Sequence, residues 1–430
     1  VTDTIFALSS GAPPAGIAVI RISGPDAFAA AAQLAGSLPP PRRASLRTLR
    51  RGGEALDRAL VLVFPGPATA TGEDLAELHL HGGRAVIRAV EAALAAMPGL
   101  RGAEPGEFTR RALEHGRIDL TEAEGLGDLL SAETEMQRRT ALRAAEGGVR
   151  ARIESWAART LQLSALVEAM LDHGDEEDVA REGDVIASVQ HDAASLADEI
   201  AALVAQPPVE RIRDGIRVVL AGSPNAGKST LLNALVGREA AIVSPLAGTT
   251  RDRIEVPVMR DGIAYLLTDT AGLHAAPTDM VEKIGIERAR DAIAAADIIL
   301  WLDDAPLPDA LAALPHLLLH PRADAAGRGA SDARLAVSAH TGEGLGQLWD
   351  QVARIAATLL PPADTIALNA RQRALAGQAL SGLRSAAEQT DMLLLAEELR
   401  AALRAFHRVT GAADVEAMLD ALFGRFCIGK

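Results

Sequence analysis

Eight residues, Gly222-Ser-Pro-Asn-Ala-Gly227-Lys228-Ser229, constrain this chain more than any others. They match G-x-x-x-x-G-K-[ST] and stand between an apolar run, IRVVLAG, and a segment of helical pattern, TLLNALV. A glycine-rich turn joining strand to helix aims backbone N–H groups inward at the positive end of the helix, which makes a cradle for phosphate. Lys228 brings a cation between β- and γ-phosphates, and the Ser229 hydroxyl suits Mg²⁺. Asn225, Ala226, Gly227, Lys228, Ser229 and Thr230 are therefore candidate nucleotide contacts. Lysine is scarce elsewhere: only Lys228, Lys283 and Lys430 occur among 43 basic residues, so a retained lysine points to a need for a compact charge rather than a planar fork.

Strand and helix patterns alternate from about residue 216 to 359: IRVVLAG, a helix from Lys228, AYLLTDT, a helix from Val281, DIILWLD, HLLLH and RLAVSA. That alternation predicts βαβ units on a largely parallel sheet. Upstream, residues 15 to 22, 57 to 64 and 75 to 80 read as strands and Gly83 to Met97 as an amphipathic helix, a mixed α/β unit ending near residue 117. Residues 120 to about 171 turn helical, the acidic stretch Asp172 to Asp178 interrupts them, and a helix from about Asp184 to Ala205 closes at Pro207 and Pro208. After Pro361 and Pro362 the pattern is helical again; Leu393, Leu394, Leu395 and Leu399 read as core. The expected organisation is residues 1–117 as an α/β domain, 118–209 and 361–430 as two parts of one helical domain, and 210–360 as an inserted α/β domain.

At 430 residues the chain is too long for one ordinary core. No apolar run approaches the ~20 residues of a membrane span. No secretory pattern opens the sequence, and one cysteine fits a reducing compartment, so cytosol is the expected location. A net charge of −14 argues against coating nucleic acid by bulk electrostatics, while leaving room for a local basic patch.

Asp269-Thr-Ala-Gly272 ends the strand AYLLT, so Asp269 can hold the metal through water while the Gly272 amide senses a γ-phosphate; Thr270 and Ala271 lie between them. Gly248-Thr-Thr250-Arg-Asp252 falls at the spacing of a first switch segment, with Thr250 completing the magnesium shell. Guanine selection wants N-K-x-D after a strand; here HLLLH is followed by Pro321-Arg322-Ala323-Asp324. Asp324 is in place to pair with the base, with Ser338-Ala339-His340 as the second base loop. Pro321 cannot make an asparagine's tethering bonds, and Arg322 replaces the lysine whose stem covers the ring. GTP is favoured over ATP, and weaker binding than usual is expected.

The position after D-x-x-G, where a glutamine usually orients water, holds Leu273, which can neither donate nor accept. Glu282 has two readings: a carboxylate reaching the water through a bridge, or a solvated acid at a helix N-terminus. Asn225 can offer a carbonyl oxygen to a second, larger cation. Cys427 is read either as a small buried hydrophobe or as a chemically active thiol. His79 and His81, without a third ligand nearby, are read as polar strand residues rather than a transition-metal site.

Era and Der, ribosome-assembly GTPases without the glutamine, share P-N-A-G-K-S and G-T-T-R-D. This chain adds T-G-E-D-x-x-E-L-x-x-H-G-G (Thr71 to Gly83) and ends in F-C-I-G-K, and with these it resembles the MnmE (TrmE) family of tRNA modification GTPases over essentially its whole length. The resemblance implies an N-terminal α/β folate-binding and dimerisation domain, a central helical domain and an inserted Ras-like GTPase domain. It also implies a homodimer working with the flavoprotein MnmG to install an aminomethyl or carboxymethylaminomethyl group at C5 of the wobble uridine of tRNA. By the same resemblance, Asn225, backbone oxygens of Ser244 and Leu246, and Thr249 hold K⁺; Ser229 and Thr250 hold Mg²⁺; Glu282 is catalytic, although the loop before it is one residue longer. Arg21, Glu77, Arg117 (often lysine in the family) and Lys430 match a pocket for 5-formyl- or methylene-tetrahydrofolate. Two rivals are a ribosome-assembly GTPase of the Era/Der type, which lacks support because no G-x-x-G loop follows the GTPase segment, and a switch that binds GTP and GDP without turnover.

Overall fold

The computed structural model describes residues 3–173, 179–237, 255–270, 291–325, 334–362, 365–412, 422–424, 426 and 428–429. The chain divides into two units, one of residues 1–127, 144–162 and 403–430 and one of residues 128–143 and 163–402.

The first unit opens with β1 (Thr4–Leu8), β2 (Ile17–Ser23), α1 (Ala27–Ala35), β3 (Ser45–Arg51), β4 (Glu54–Phe64), β5 (Leu75–His81), α2 (Arg84–Ala95), β6 (Leu100–Gly102) and α3 (Glu107–Glu114). The strands form one sheet in the order β3-β4-β5-β2-β1-β6, in which only β1 and β6 are parallel. Side chains alternate across a pleated strand. Thus Ala18, Ile20 and Ile22 of β2 join Ala76, Leu78 and Leu80 of β5 in a core with Ile87, Val90 and Leu94 of α2. The alternate residues Arg21, Glu77 and His79 fall on the other face, and the register sets Arg21 opposite Glu77. The sequence pattern missed β1, β3 and β6, because β6 is three residues long and β3, SLRTLRR, shows only one buried residue.

Helices α4 (Leu120–Ser131), α5 (Glu135–Ala145), α6 (Gly148–His173) and α7 (Val179–Val204) follow. Beyond the short α8 (Glu210–Arg213) come β7 (Ile216–Ala221), α9 (Lys228–Gly237), β8 (Glu255–Arg260), β9 (Ile263–Asp269), β10 (Ile298–Trp301), β11 (His316–Pro321), β12 (Leu335–Val337) and α10 (Leu345–Leu359). The last long helices are α11 (Ala370–Glu388) and α12 (Met392–Thr410). Helix α7, before the second sheet, packs against α11, after it. Arg373 of α11 donates to the Val204 carbonyl at 2.8 Å, and Gln190 of α7 donates to the Gln389 carbonyl at 2.7 Å. The sheet is therefore flanked in sequence by helices that meet in space.

The second sheet runs β12-β11-β10-β7-β9-β8, parallel throughout except for β8 against β9. Central β7 is covered on both faces: Val218 and Leu220 enter a core with Leu231, Leu348 and Val352, while Val219 and Ala221 face Ala296 and Ile299. Burial on both faces is why IRVVLA reads as a continuous apolar run rather than an alternation.

Leu395 and Leu399 are fully buried, as expected, but Leu393 and Leu394 are 68% and 53% exposed. Three consecutive leucines cannot all face one way at 3.6 residues per turn; the two at the start of α12 lie off the stripe marked by Leu395, Leu399, Ala402 and Phe406. The helix expected from Val281 lies outside the described residues.

Gly344, at the N-terminus of α10, has φ +73°, and a Cβ there would stand 2.0 Å from the Ala336 carbonyl oxygen. Gly344→Ala is expected to cost about 2–3 kcal/mol of unfolding free energy by denaturant melting, since both strain and clash must be relieved. A loss below about half a kcal/mol would show that the loop before α10 gives way freely.

Candidate functional site

Five parallel strands of the second sheet end on one edge, and the residues just past those ends carry the chemistry, as expected for a crevice outside the carboxyl ends of an open α/β sheet. After β7 the chain turns through Gly222 at φ +147° and Gly227 at φ +98°, with Asn225 between them at φ +64°. A Cβ on Gly222 would meet the Leu302 carbonyl carbon at 3.0 Å, so the loop must pass β10 with no side chain there. Asparagine is among the few non-glycine residues that adopt a left-handed conformation readily.

Lys228 is 4% exposed, and its ammonium donates to the Gly222 and Ser223 carbonyls, both at 2.8 Å. Burial pushes its pKa below the usual lysine value, with Asp269 and Asp303 pulling the other way. An anion inside the loop would supply further counter-charge. The Ser229 hydroxyl donates to Asp269 at the end of β9. Thr270 donates from its hydroxyl to the Leu220 carbonyl at 2.8 Å, which ties the strand end of β9 to β7. A hydroxyl and a buried carboxylate brought together match the hard oxygen ligands that Mg²⁺ takes alongside phosphates.

Past β10, Asp303 accepts from the Ser223 amide at 2.9 Å and the Ala305 amide at 3.0 Å. The Ala305 bond comes first among the causes holding its carboxyl below the usual range. Asp303 escaped the sequence reading, although its place at the end of DIILWLD, level with the other strand ends, was a usable signal. Past β11 and β12, Asp324 faces Ser338, whose side-chain bond holds the aspartate below its ordinary pKa with further help from His340. The Ser338 hydroxyl also accepts from the Thr341 amide at 3.1 Å. Gly227, Thr230, Pro321, Arg322, Asp324 and His340 line a cavity of about 370 Å³ on this edge, with Ala339 beside them. The candidate residues Asn225, Ala226, Gly227, Lys228, Ser229, Thr230, Asp269, Thr270, Asp324, Ser338, Ala339 and His340 are thus on one edge. Ser244, Leu246, Thr249, Thr250, Ala271, Gly272 and Glu282 lie outside the described residues.

The family described as "MnmE helical domain" matches residues 120–427, and "GTP-binding protein TrmE N-terminus" matches residues 4–117. A protein of Rhizorhabdus wittichii named tRNA modification GTPase MnmE is 57% identical, covering 100% of this chain and 97% of its own. One of Erythrobacter litoralis with the same name is 54% identical over 100% of both chains. The chain belongs to the MnmE family of tRNA modification GTPases. Its nucleotide edge is that of a P-loop GTPase, with the N-terminal α/β and helical domains of MnmE. Among solved structures, the G domain of the T. maritima FeoB iron transporter covers 33% of this chain and 98% of its own at 26% identity and a TM-score of 0.24. Among the described residues no helix is long and apolar enough to cross a membrane.

In the MnmE N-terminal domain, Arg21 and Glu77 meet across β2 and β5 with Nε to Oε1 at 3.0 Å. His79, two residues along β5, bonds the other Glu77 oxygen at 3.0 Å, a contact that the sequence reading did not anticipate. His81 bonds Asp57 at 2.7 Å, so the two histidines are occupied by separate carboxylates. Arg117 donates to the Thr69 carbonyl at 3.1 Å. Lys430 and Cys427 lie outside the described residues. Their neighbour Gly429 has φ +94° and a Cβ there would be 2.0 Å from the Leu8 carbonyl oxygen, so Gly429 runs tight against β1 of the same unit.

Burial pushes the Glu77 carboxyl up, but the bonds from His79 and Arg21 outweigh it and hold the group below its ordinary value. A depressed carboxylate pKa contributes stability that is present above the unfolded value and is lost as pH falls through the folded one. Glu77→Gln should therefore cost about 1 kcal/mol near neutrality, and the cost should shrink as pH falls below about 4. Thermal melts of both proteins across pH check this; a pH-independent difference would mean that the carboxylate's charge is not what the pair contributes.

Proposed function

We propose that this chain is a potassium-assisted GTP hydrolase which, with the flavoprotein MnmG, drives addition of an aminomethyl or carboxymethylaminomethyl group at C5 of the wobble uridine of tRNA, using a one-carbon tetrahydrofolate. The observation that carries the reading is the convergence of Lys228, the Ser229–Asp269 pair and the Asp324–Ser338 pair on one sheet edge, in a chain of the MnmE family. Residues 1–117 would serve as the folate-binding and dimerisation domain, residues 118–209 and 361–430 as the helical domain, and residues 210–360 as the GTPase domain. The protein works as a cytoplasmic homodimer.

In this reading the Gly222–Lys228 turn grips the triphosphate through inward amides, and Lys228 exchanges the carbonyls of Gly222 and Ser223 for phosphate oxygens. Ser229 and Thr250 hold Mg²⁺. Asn225, with backbone oxygens of Ser244 and Leu246 and with Thr249, holds K⁺, which supplies positive charge where it develops on the phosphates. Glu282 orients water, the task that Leu273 cannot perform. Asp324 pairs with the guanine edge, Ala339 and His340 close the base loop, and the amides of Ala271 and Gly272 face the γ-phosphate. Arg21, Glu77, Arg117 and Lys430 hold 5-formyl- or methylene-tetrahydrofolate through its polar ring and acidic tail.

GTP turnover in potassium against sodium tests the hydrolase, with faster turnover in potassium expected; equal rates would remove the cation assistance. Mass spectrometry of wobble uridines after depletion tests the tRNA assignment, and unchanged modification would overturn it while leaving the nucleotide chemistry standing.

A further inference from the structure

The base loop departs from N-K-x-D at two positions, yet it is joined to the phosphate loop. The Arg322 guanidinium donates to the Asn225 carbonyl, 97 residues away. Its Nε also lies 3.7 Å from where a Cβ on Gly227 would be, so the side chain runs along the floor of the phosphate loop. Arg322 is exposed and lines the 370 Å³ cavity between Gly227 and Asp324. Its backbone is held at φ +59°, a left-handed conformation that costs a non-glycine residue free energy. Pro321 is buried and paired in register with Val337, so β11 ends rigidly and the turn after it falls on Arg322.

We infer that Arg322 is the affinity-determining clamp of the guanine nucleotide, doing with one side chain what an asparagine–lysine pair does elsewhere; the inference rests on the GTPase reading of this edge. The guanidinium spans from base loop to phosphate loop, and the aliphatic stem with the planar head covers a face of the purine ring above Asp324. Arginine suits both tasks: its fork donates to a carbonyl while its plane lies flat on an aromatic ring. The contact joins two parts of the protein itself, so the clamp is set before binding. Lys228 and Ser229, by contrast, must first release Gly222, Ser223 and Asp269. The clamp reads the ring's face, not its edge, and so it strengthens purine binding without choosing between guanine and hypoxanthine. The edge remains Asp324's task.

The test uses the full chain and fluorescent GDP and IDP, with Arg322→Gly and Arg322→Lys. Glycine accepts φ +59° without strain, so the side chain is lost while the turn keeps its shape. Arg322→Gly is expected to raise the dissociation constants for GDP and IDP by the same factor, about tenfold, the size of one ring-face contact. The nucleotide-free melting temperature should hold or rise, and Arg322→Lys should recover most of the affinity. Unchanged GDP affinity in Arg322→Gly would overturn the clamp. So would a loss confined to GDP, which would make Arg322 a reader of the exocyclic amine, or a lysine variant no better than glycine. Failure of the parent chain to bind GDP is a separate result and would strike the GTPase reading itself.

Discussion

Lys228→Met is expected to lower kcat/KM for GTP roughly 10²–10³-fold in a phosphate-release assay, the loss usual when one preorganised donor to developing charge is removed. The side chain is almost fully buried, bonded to two loop carbonyls and depressed in pKa by that burial. Its charge is therefore held in the loop at a cost that a triphosphate relieves. Methionine keeps the length of the stem and removes the charge, so the nucleotide-induced rise in melting temperature should vanish along with turnover. Lys228→Arg is the sharper comparison, because it keeps the charge but brings a planar fork into a space that fits a compact ammonium. It should fail nearly as badly, in keeping with a chain that has only three lysines among its 43 basic residues yet keeps one here. Near-parental turnover in Lys228→Arg would show that any cation serves and that the loop's geometry is less exacting than its bonds suggest.

Why the nucleotide edge was legible while other parts were not follows from how far apart the deciding residues lie. Strand β7, the turn and α9 are contiguous, so spacing alone carried the phosphate loop. Buried parallel strands such as β10 and β11 announce themselves as apolar runs because water reaches neither face. Strand β8 did not: it is the antiparallel edge, EVPVMR, with a proline and a single buried residue. The contacts that complete the site, Asp303 to Ser223 and Arg322 to Asn225, join residues 80 and 97 positions apart, and no local pattern encodes such pairs. In the N-terminal domain, alternation alone places Arg21 and Glu77 on outward faces of their strands. Their pairing depends on the register of β2 against β5, and their role was accessible only through resemblance. Arg111 shows the same limit in a buried setting: an arginine of the kind that ordinarily stays at the surface is 2% exposed, bonded to Asp3, Glu73 and Glu107. A buried cation is tolerated when several carboxylates surround it, and two of these three come from distant parts of the chain.

Asn225→Gly is expected to bring the ratio of GTP turnover in potassium to that in sodium down to one, with kcat in potassium falling roughly 10²–10³-fold if the ion replaces an arginine finger worth ~10³–10⁵. The substitution is chosen for the backbone. Asn225 sits at φ +64°, where alanine would be strained but glycine is not, so the turn and the carbonyl that accepts from Arg322 both survive. What disappears is the side-chain oxygen proposed to meet the cation. GDP affinity should consequently stay near the parental value, because the ion acts where charge develops in the transition state rather than where the diphosphate rests. That split between binding and turnover separates cation assistance from general damage to the loop. If potassium still accelerated Asn225→Gly over sodium, its ligands would have to lie elsewhere, and Asn225 would owe its place to the left-handed turn alone.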